Sequence, residues 1–156
     1  MKKRIFSAAL GAILITAVFA GCNSNSNTLK DGTYHAQMKE ASHGWTDYVE
    51  ITVKDGKFDT VVYDSKNEDG DKKSQDEDYK KSMMEGNKNA GKAETYPADY
   101  SKKLADSLLE KQDISQVDTV AGATNSSKNF KAMVEALKSN MSKGKTDPVM
   151  VDTPTE

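Results

Sequence analysis

The run Asp118-Thr119-Val120-Ala121-Gly122-Ala123-Thr124-Asn125-Ser126-Ser127 concentrates the residue types in this chain that are able to do chemistry. Its Gly-Ala turn delivers a hydroxyl residue to the mouth of an amphipathic helix. From Phe130 the apolar residues Phe130, Met133, Val134, Leu137 and Met141 keep the i, i+3, i+4, i+7, i+11 spacing of one helix face. The first N–H groups of a helix lack intrahelical partners and sit at the positive end of its dipole, so an anion held there is stabilised. The chemistry implied is the holding of a negatively charged group at or near Thr124. Thr, Ser and Asn are also favoured N-caps, and Gly before a helix is ordinary turn chemistry, so the spacing alone favours a plain capped turn.

Asp118-x-x-Ala121-Gly122-Ala123-Thr124 resembles the flavinylation motif of FMN-binding domains, Asp-x-x-Ser/Thr-Gly-Ala-Thr. The resemblance implies that a flavin transferase cleaves FAD and esterifies FMN, through its phosphate, to Thr124. It also implies that Asp118, Gly122 and Ala123 are recognition elements, with Ser126 and Ser127 completing the cofactor-binding segment. Ala121 stands where the family usually has Ser or Thr, which removes one possible hydrogen bond. The same domain occurs in the flavin subunits of sodium-pumping quinone reductases and in flavin-bearing surface lipoproteins of Gram-positive bacteria. By that resemblance the chain is expected to be an electron carrier, fed by a quinol-linked membrane donor and emptied by an external acceptor such as ferric iron. A carrier of this kind has no substrate-converting site of its own. Asp31-Gly32-Thr33-Tyr34, His43-Gly44-Trp45, Lys54-Asp55-Gly56-Lys57 and Lys73-Ser74-x-Asp76-x-x-Tyr79 look like a small lipoprotein branch of the family. The resemblance covers residues 31–140, and without an internal repeat it implies one flavin.

The start of the chain sets the compartment. Met1-Lys2-Lys3-Arg4 is basic, residues 5–19 are apolar apart from Ser7 and Thr16, and Ala20-Gly21-Cys22 comes next. This reads as a secretory signal peptide over residues 1–21, too short and wrongly flanked for a membrane-spanning helix. The Cys behind two small residues resembles a bacterial lipobox, with Phe19 where Leu is usual. It implies cleavage before Cys22, lipidation of its thiol, and a domain anchored on the outer face of the cell membrane. Cys22 is the single cysteine, which excludes a disulfide framework and a thiolate metal site. Losing residues 1–21 removes three basic residues and no acid, so 19 basic residues face 24 acidic ones and the formal charge becomes −5. An acidic domain argues against nucleic acid as a partner and against electrostatic lipid binding by its folded part. The remaining 135 residues suit one domain with a genuine core. Residues 22–30 form the lipidated Cys and a polar tether with a reach of at most about 26 Å.

The elements that must position Thr124 are an antiparallel meander and helices. Tyr34, Ala36 and Met38 alternate with polar neighbours after Asp31-Gly32. Val49, Ile51 and Val53 alternate in a second strand, Asp55-Gly56 is a hairpin turn, and a third strand starts at Phe58. Asp76 caps a short helix carrying Tyr79, Met83 and Met84, which breaks from Gly86. Pro97 opens a longer helix with Tyr100, Leu104 and Leu108 inward. From Gln112 to Val120 the chain returns extended, and leads into the last helix. The expected fold is α+β: an antiparallel β-meander with helices packed on one side, a single small domain over residues 31–141, and a disordered tail over 142–156.

Other candidates carry less. Trp45, between the first two strands, suits either hairpin packing or stacking on a flat conjugated ring. His35 and His43 do not form a metal pair. Asn67, Asp69, Gly70, Asp71 and Asp76 approach a calcium loop, but Lys72 and Lys73 lie within it and Asp76 replaces the bidentate Glu. The loop reads as solvated and no metal site is expected. Nor does the chain contain a Gly-x-Ser-x-Gly elbow. The rival to a redox carrier is a surface lipoprotein that binds an anionic ligand reversibly, and a plain scaffold is the third reading.

Overall fold

Alternation with period two makes the first half of the domain a sheet. In the computed structural model, which describes residues 28–154, β1 (Gly32–Met38), β2 (Thr46–Lys54) and β3 (Lys57–Lys66) form the antiparallel meander. The two-residue Asp55-Gly56 turn pairs Lys54 with Lys57, and a bulge lies beyond it where Thr52 faces Thr60 but Val53 faces Phe58. Tyr34, Ala36, Met38, Val49, Ile51 and Val53 all point to the buried face. The expected signal peptide, Cys22 and the expected tether residues 23–27 lie outside the described residues.

Of the three helices, two pack directly on that face. α1 (Glu77–Asn89) starts at Asp76, whose carboxylate accepts the Tyr79 N–H at 2.8 Å. It runs through Gly86, where a break is expected, because Asn87 is buried there and its amide reaches the Thr95 carbonyl at 3.4 Å. α2 (Pro97–Lys111) has Pro at its start and packs on β3. α3 (Thr124–Lys143) packs on β1 and β2 and buries Phe130, Met133, Val134, Leu137 and Met141 completely. The segment between α2 and α3 is not uniformly extended: Ile114–Gln116 is a 3-10 turn that buries Ile114.

The tail corrects the expected disorder over residues 142–156. Helix α3 continues to Lys143 and closes on Gly144, and β4 (Val149–Val151) pairs parallel with β1. Val149 and Val151 pack against the core, the Lys39 N–H donates to the Val151 carbonyl at 2.8 Å, and Lys39 pairs with Asp152. The sheet is therefore mixed, four-stranded, in the order β3-β2-β1-β4. Backbone pairing with β1 and two apolar residues dock a segment whose composition reads as a polar tail.

Candidate functional site

The turn before α3 is built by close approach. Gly122 has φ +82°, a left-handed value that favours glycine. A Cβ there would lie 2.5 Å from the Ala93 carbonyl oxygen and 3.0 Å from Thr95 Cγ2. The α1–α2 connection thus presses directly on the turn. Ser127 locks it from the other side: its buried hydroxyl donates to the Ala123 carbonyl at 2.9 Å and accepts the Val120 N–H at 3.0 Å. With both hydrogen-bonding capacities used, Ser127 bears on the site through the shape of the turn.

Thr124 is placed differently from a cap. Ala123 occupies the N-cap position with φ −132° and ψ 43°, and α3 has no side-chain cap. Thr124 is the first helical residue, exposed, and its hydroxyl engages no hydrogen bond among the described residues. The first intrahelical bond runs from the Ser127 N–H to the Ala123 carbonyl at 3.0 Å. The N–H groups of Thr124, Asn125 and Ser126 are therefore left at the positive end of a 20-residue helix. They open on a cleft of about 510 Å³ lined by Met83, Lys92, Ala93, Gly122, Thr124 and Ser126.

A second cleft of about 310 Å³ shares Asn125 with the first and is lined by Trp45, Asp47, Lys128 and Asn129. Trp45 is half-buried, with its ring edge-on to Tyr79 at 6.2 Å between centroids. Lys73 Nζ sits over the other part of that stack, 4.3 Å from the Tyr79 centroid. Tyr79 and Met83 are one turn apart on α1, with Met83 lining the first cleft and Tyr79 backing the Trp45 ring of the second. Trp45 thus packs within the fold and also lines the second cleft, which adjoins the first at Asn125.

Beneath α3 lies a buried polar network that joins the helix mouth to the sheet. Asp47 accepts Ser65 Oγ at 2.5 Å and the Asn129 side-chain amide at 2.8 Å. The Tyr63 hydroxyl is 2.9 Å from both Asp47 Oδ2 and the Ser126 carbonyl, a donor with a choice of two acceptors. Burial first, and then the Asp47 charge, push the Tyr63 phenol well above the usual tyrosine range. Burial also raises Tyr100, which packs on Tyr63. The neutral Tyr63 phenol therefore fixes the backbone of Ser126, two residues from Thr124.

Of the residues singled out by sequence, Gly122, Ala123, Thr124, Ser126 and Ser127 come together in one turn. Trp45 lies in the adjoining cleft. Asp118 is exposed and pairs with Lys111 at 3.3 Å, outside the lining of either cleft. Lys92, Asp47, Tyr63 and Lys128 escape the sequence reading, and Met83 enters it only as an apolar residue of a short helix. Lys92 and Lys128 belong to no regular pattern, while the demand of Gly122 for space hints that another segment lies against the turn. The calcium-like loop is internally closed, since Asn67 Oδ1 accepts the Asp71 N–H and Asp76 caps α1.

Comparison with known proteins agrees with this geometry. Residues 44–138 match the FMN-binding domain family, a stretch that includes Trp45, the buried network and the whole run from Asp118 to Ser127. The 15 kDa lipoprotein of Treponema pallidum (strain Nichols) is 34% identical over 140 residues, covering 89% of this chain and 94% of that protein. The CPE2226 protein of Clostridium perfringens is similar in structure, with a TM-score of 0.71, 35% identity, and coverage of 81% of this chain and 99% of that one. By the extent of these matches and by the Gly-Ala-Thr turn they enclose, this chain belongs to the FMN-binding domain family.

Proposed function

We propose that the protein is a lipid-anchored extracytoplasmic electron carrier that bears one FMN, esterified through its phosphate to Thr124 by an FAD-dependent flavin transferase. The observation that carries the reading is the idle hydroxyl of Thr124. Ser127 and Tyr63 spend their hydroxyls on the turn and the helix mouth, whereas Thr124, at the first helical position, is exposed and uncommitted.

The residues present fit a flavin phosphate. Three helix N–H groups face the anion, and Lys92 and Lys128, neither in an ion pair among the described residues, border the clefts on either side. Gly122 keeps Cβ bulk out of the closely packed turn. Met83 in the first cleft and Trp45 in the second offer soft apolar and aromatic surface to a planar ring. Bound FMN supplies the redox chemistry, and the protein supplies orientation and exposure. An ester removes dissociation, which matters outside the cell membrane, where a released flavin is lost.

Cys22, carrying the lipid, would keep the carrier at the cell surface between a quinol-linked donor in the membrane and an external acceptor such as ferric iron. The test is the intact mass of the mature protein isolated from its own cell, alongside the Thr124→Ala variant. The expected result is lipid and FMN adducts on the natural chain and lipid alone on the variant. Flavin that appears in solution only on denaturation would replace the ester with reversible binding, and an adduct retained by Thr124→Ala would refute the attachment residue.

A further inference from the structure

The chain joins its folded body at the end of the molecule opposite Thr124. The Lys30 N–H donates to the Met141 carbonyl near the C-terminus of α3 at 2.8 Å, and the Tyr34 hydroxyl donates to the Lys30 carbonyl at 2.7 Å. Leu29 packs against the core beside them. Helix α3 has 20 residues, so its two ends stand about 29 Å apart at roughly 1.5 Å per residue. We infer that the domain is held with its Thr124 clefts facing away from the bilayer, as the surface offered to a water-borne redox partner. The inference rests on the lipid anchor and deepens the carrier reading by fixing which partner can reach the cofactor.

The reach of the tether decides it. Six residue steps separate Cys22 from Thr28, a span of about 20 Å even when fully extended. To lay the Thr124 clefts on the bilayer, the domain must invert and raise Thr28 about 29 Å above it. The tether falls short of that height. The inverted posture is closed to the domain, so the Thr124 pole cannot lie face-down on the lipid. The acidic mature chain adds no attraction between the folded body and anionic lipid. The partner that fits is one whose electron-exchanging group stands clear of the lipid: a soluble carrier, or a membrane complex with a domain projecting into the aqueous space. A quinol dissolved in the hydrocarbon does not fit.

Depth-dependent quenching tests this on the full lipidated chain in phosphatidylcholine vesicles that contain nitroxide-labelled lipid. Acylation occupies Cys22, so a single new thiol takes the fluorophore in each of two variants. Lys145→Cys is exposed at the pole where the chain joins, and Asn89→Cys is exposed on α1 near the Thr124 pole, outside both clefts. The expected result is quenching several-fold stronger at position 145 than at position 89. Equal quenching, or stronger quenching at position 89, overturns the orientation. Protein that fails to float with the vesicles overturns the anchor and the orientation together. A missing FMN adduct in the intact mass of the same sample removes the cofactor reading and leaves the posture supported by the quenching ratio.

Discussion

The two ends of α3 are built from the same kind of residue and finished in opposite ways. Gly144 closes the C-terminus with φ +69°, and Gly122 precedes the N-terminus with φ +82°. At the Gly144 end the protein satisfies its own helix. The Gly144 and Lys145 N–H groups both reach the Asn140 carbonyl, the Lys30 N–H takes the Met141 carbonyl, and the Asn140 side chain donates to Asp147. At the Gly122 end the turn is locked from behind by Ser127 and Tyr63, while the helix N–H groups and the Thr124 hydroxyl are left facing a cleft. One end spends its polar groups on stability. The other holds a rigid support behind polar groups that are unused, which is the arrangement expected where a ligand completes the structure.

Substituting each glycine by alanine separates these roles most sharply. Gly144→Ala meets only the left-handed backbone cost of about 1 kcal/mol, since its nearest contact, Lys30 Cβ at 3.4 Å, is ordinary. Gly122→Ala meets the same cost and also drives a methyl to within 2.5 Å of the Ala93 carbonyl oxygen, for a total loss of about 3 kcal/mol. Urea unfolding of the apo-proteins should rank the two variants in that order. Equal losses would show that the α1–α2 connection yields to the methyl and does not hold the turn.

Ser127→Ala comes next. It strips the Val120 N–H of its partner in a half-buried position and should cost about 2 kcal/mol. It should also lower flavin incorporation by the transferase, because the geometry at Thr124 depends on that turn. Full incorporation together with the stability loss would confine Ser127 to folding.

Periodicity decides how much of the molecule is legible in its sequence. The period-two strands, the Asp55-Gly56 hairpin and the apolar stripe from Phe130 to Met141 recur often enough to be read directly, and the structure contains all of them. β4 has three residues, too few for alternation to register, and owes its place to pairing with β1, far away in sequence. The Asp47–Asn129 contact spans 82 positions, and no local pattern announces such a pair. The Gly-Ala-Thr run identifies the site segment. Whether Thr124 caps the helix or begins it depends on one backbone position, and element boundaries carry that much slack in any local reading.

Alkaline titration probes the support beneath the open end. An ordinary tyrosine ionises near about pH 10, and in the fold burial raises Tyr63 and Tyr100 above that value. The unfolded chain thus releases protons that the folded chain retains, so the contribution is fully present below about pH 10 and shrinks as pH climbs toward the folded values. Tyr63→Phe should lose about 1 kcal/mol at neutral pH through its hydrogen bond and then show a shallower decline above pH 10. Parallel alkaline curves for the two proteins would mean that Tyr63 is not the group held neutral by the site.

The smallest expected effect is the most discriminating. If Thr124 were the N-cap, Thr124→Ala would cost about 1 kcal/mol through the lost side-chain bond. In the structure Thr124 is the first helical residue and its hydroxyl bonds to nothing among the described residues, while alanine has the better intrinsic helix propensity by about half a kcal/mol. The apo-variant should therefore unfold at the same urea concentration as the natural chain or slightly above it. A loss of a full kcal/mol would return Thr124 to the role of a structural cap and remove the argument that its hydroxyl is held in reserve. An unchanged or raised midpoint, in a variant that no longer takes up covalent flavin, would separate attachment from folding at a single oxygen atom.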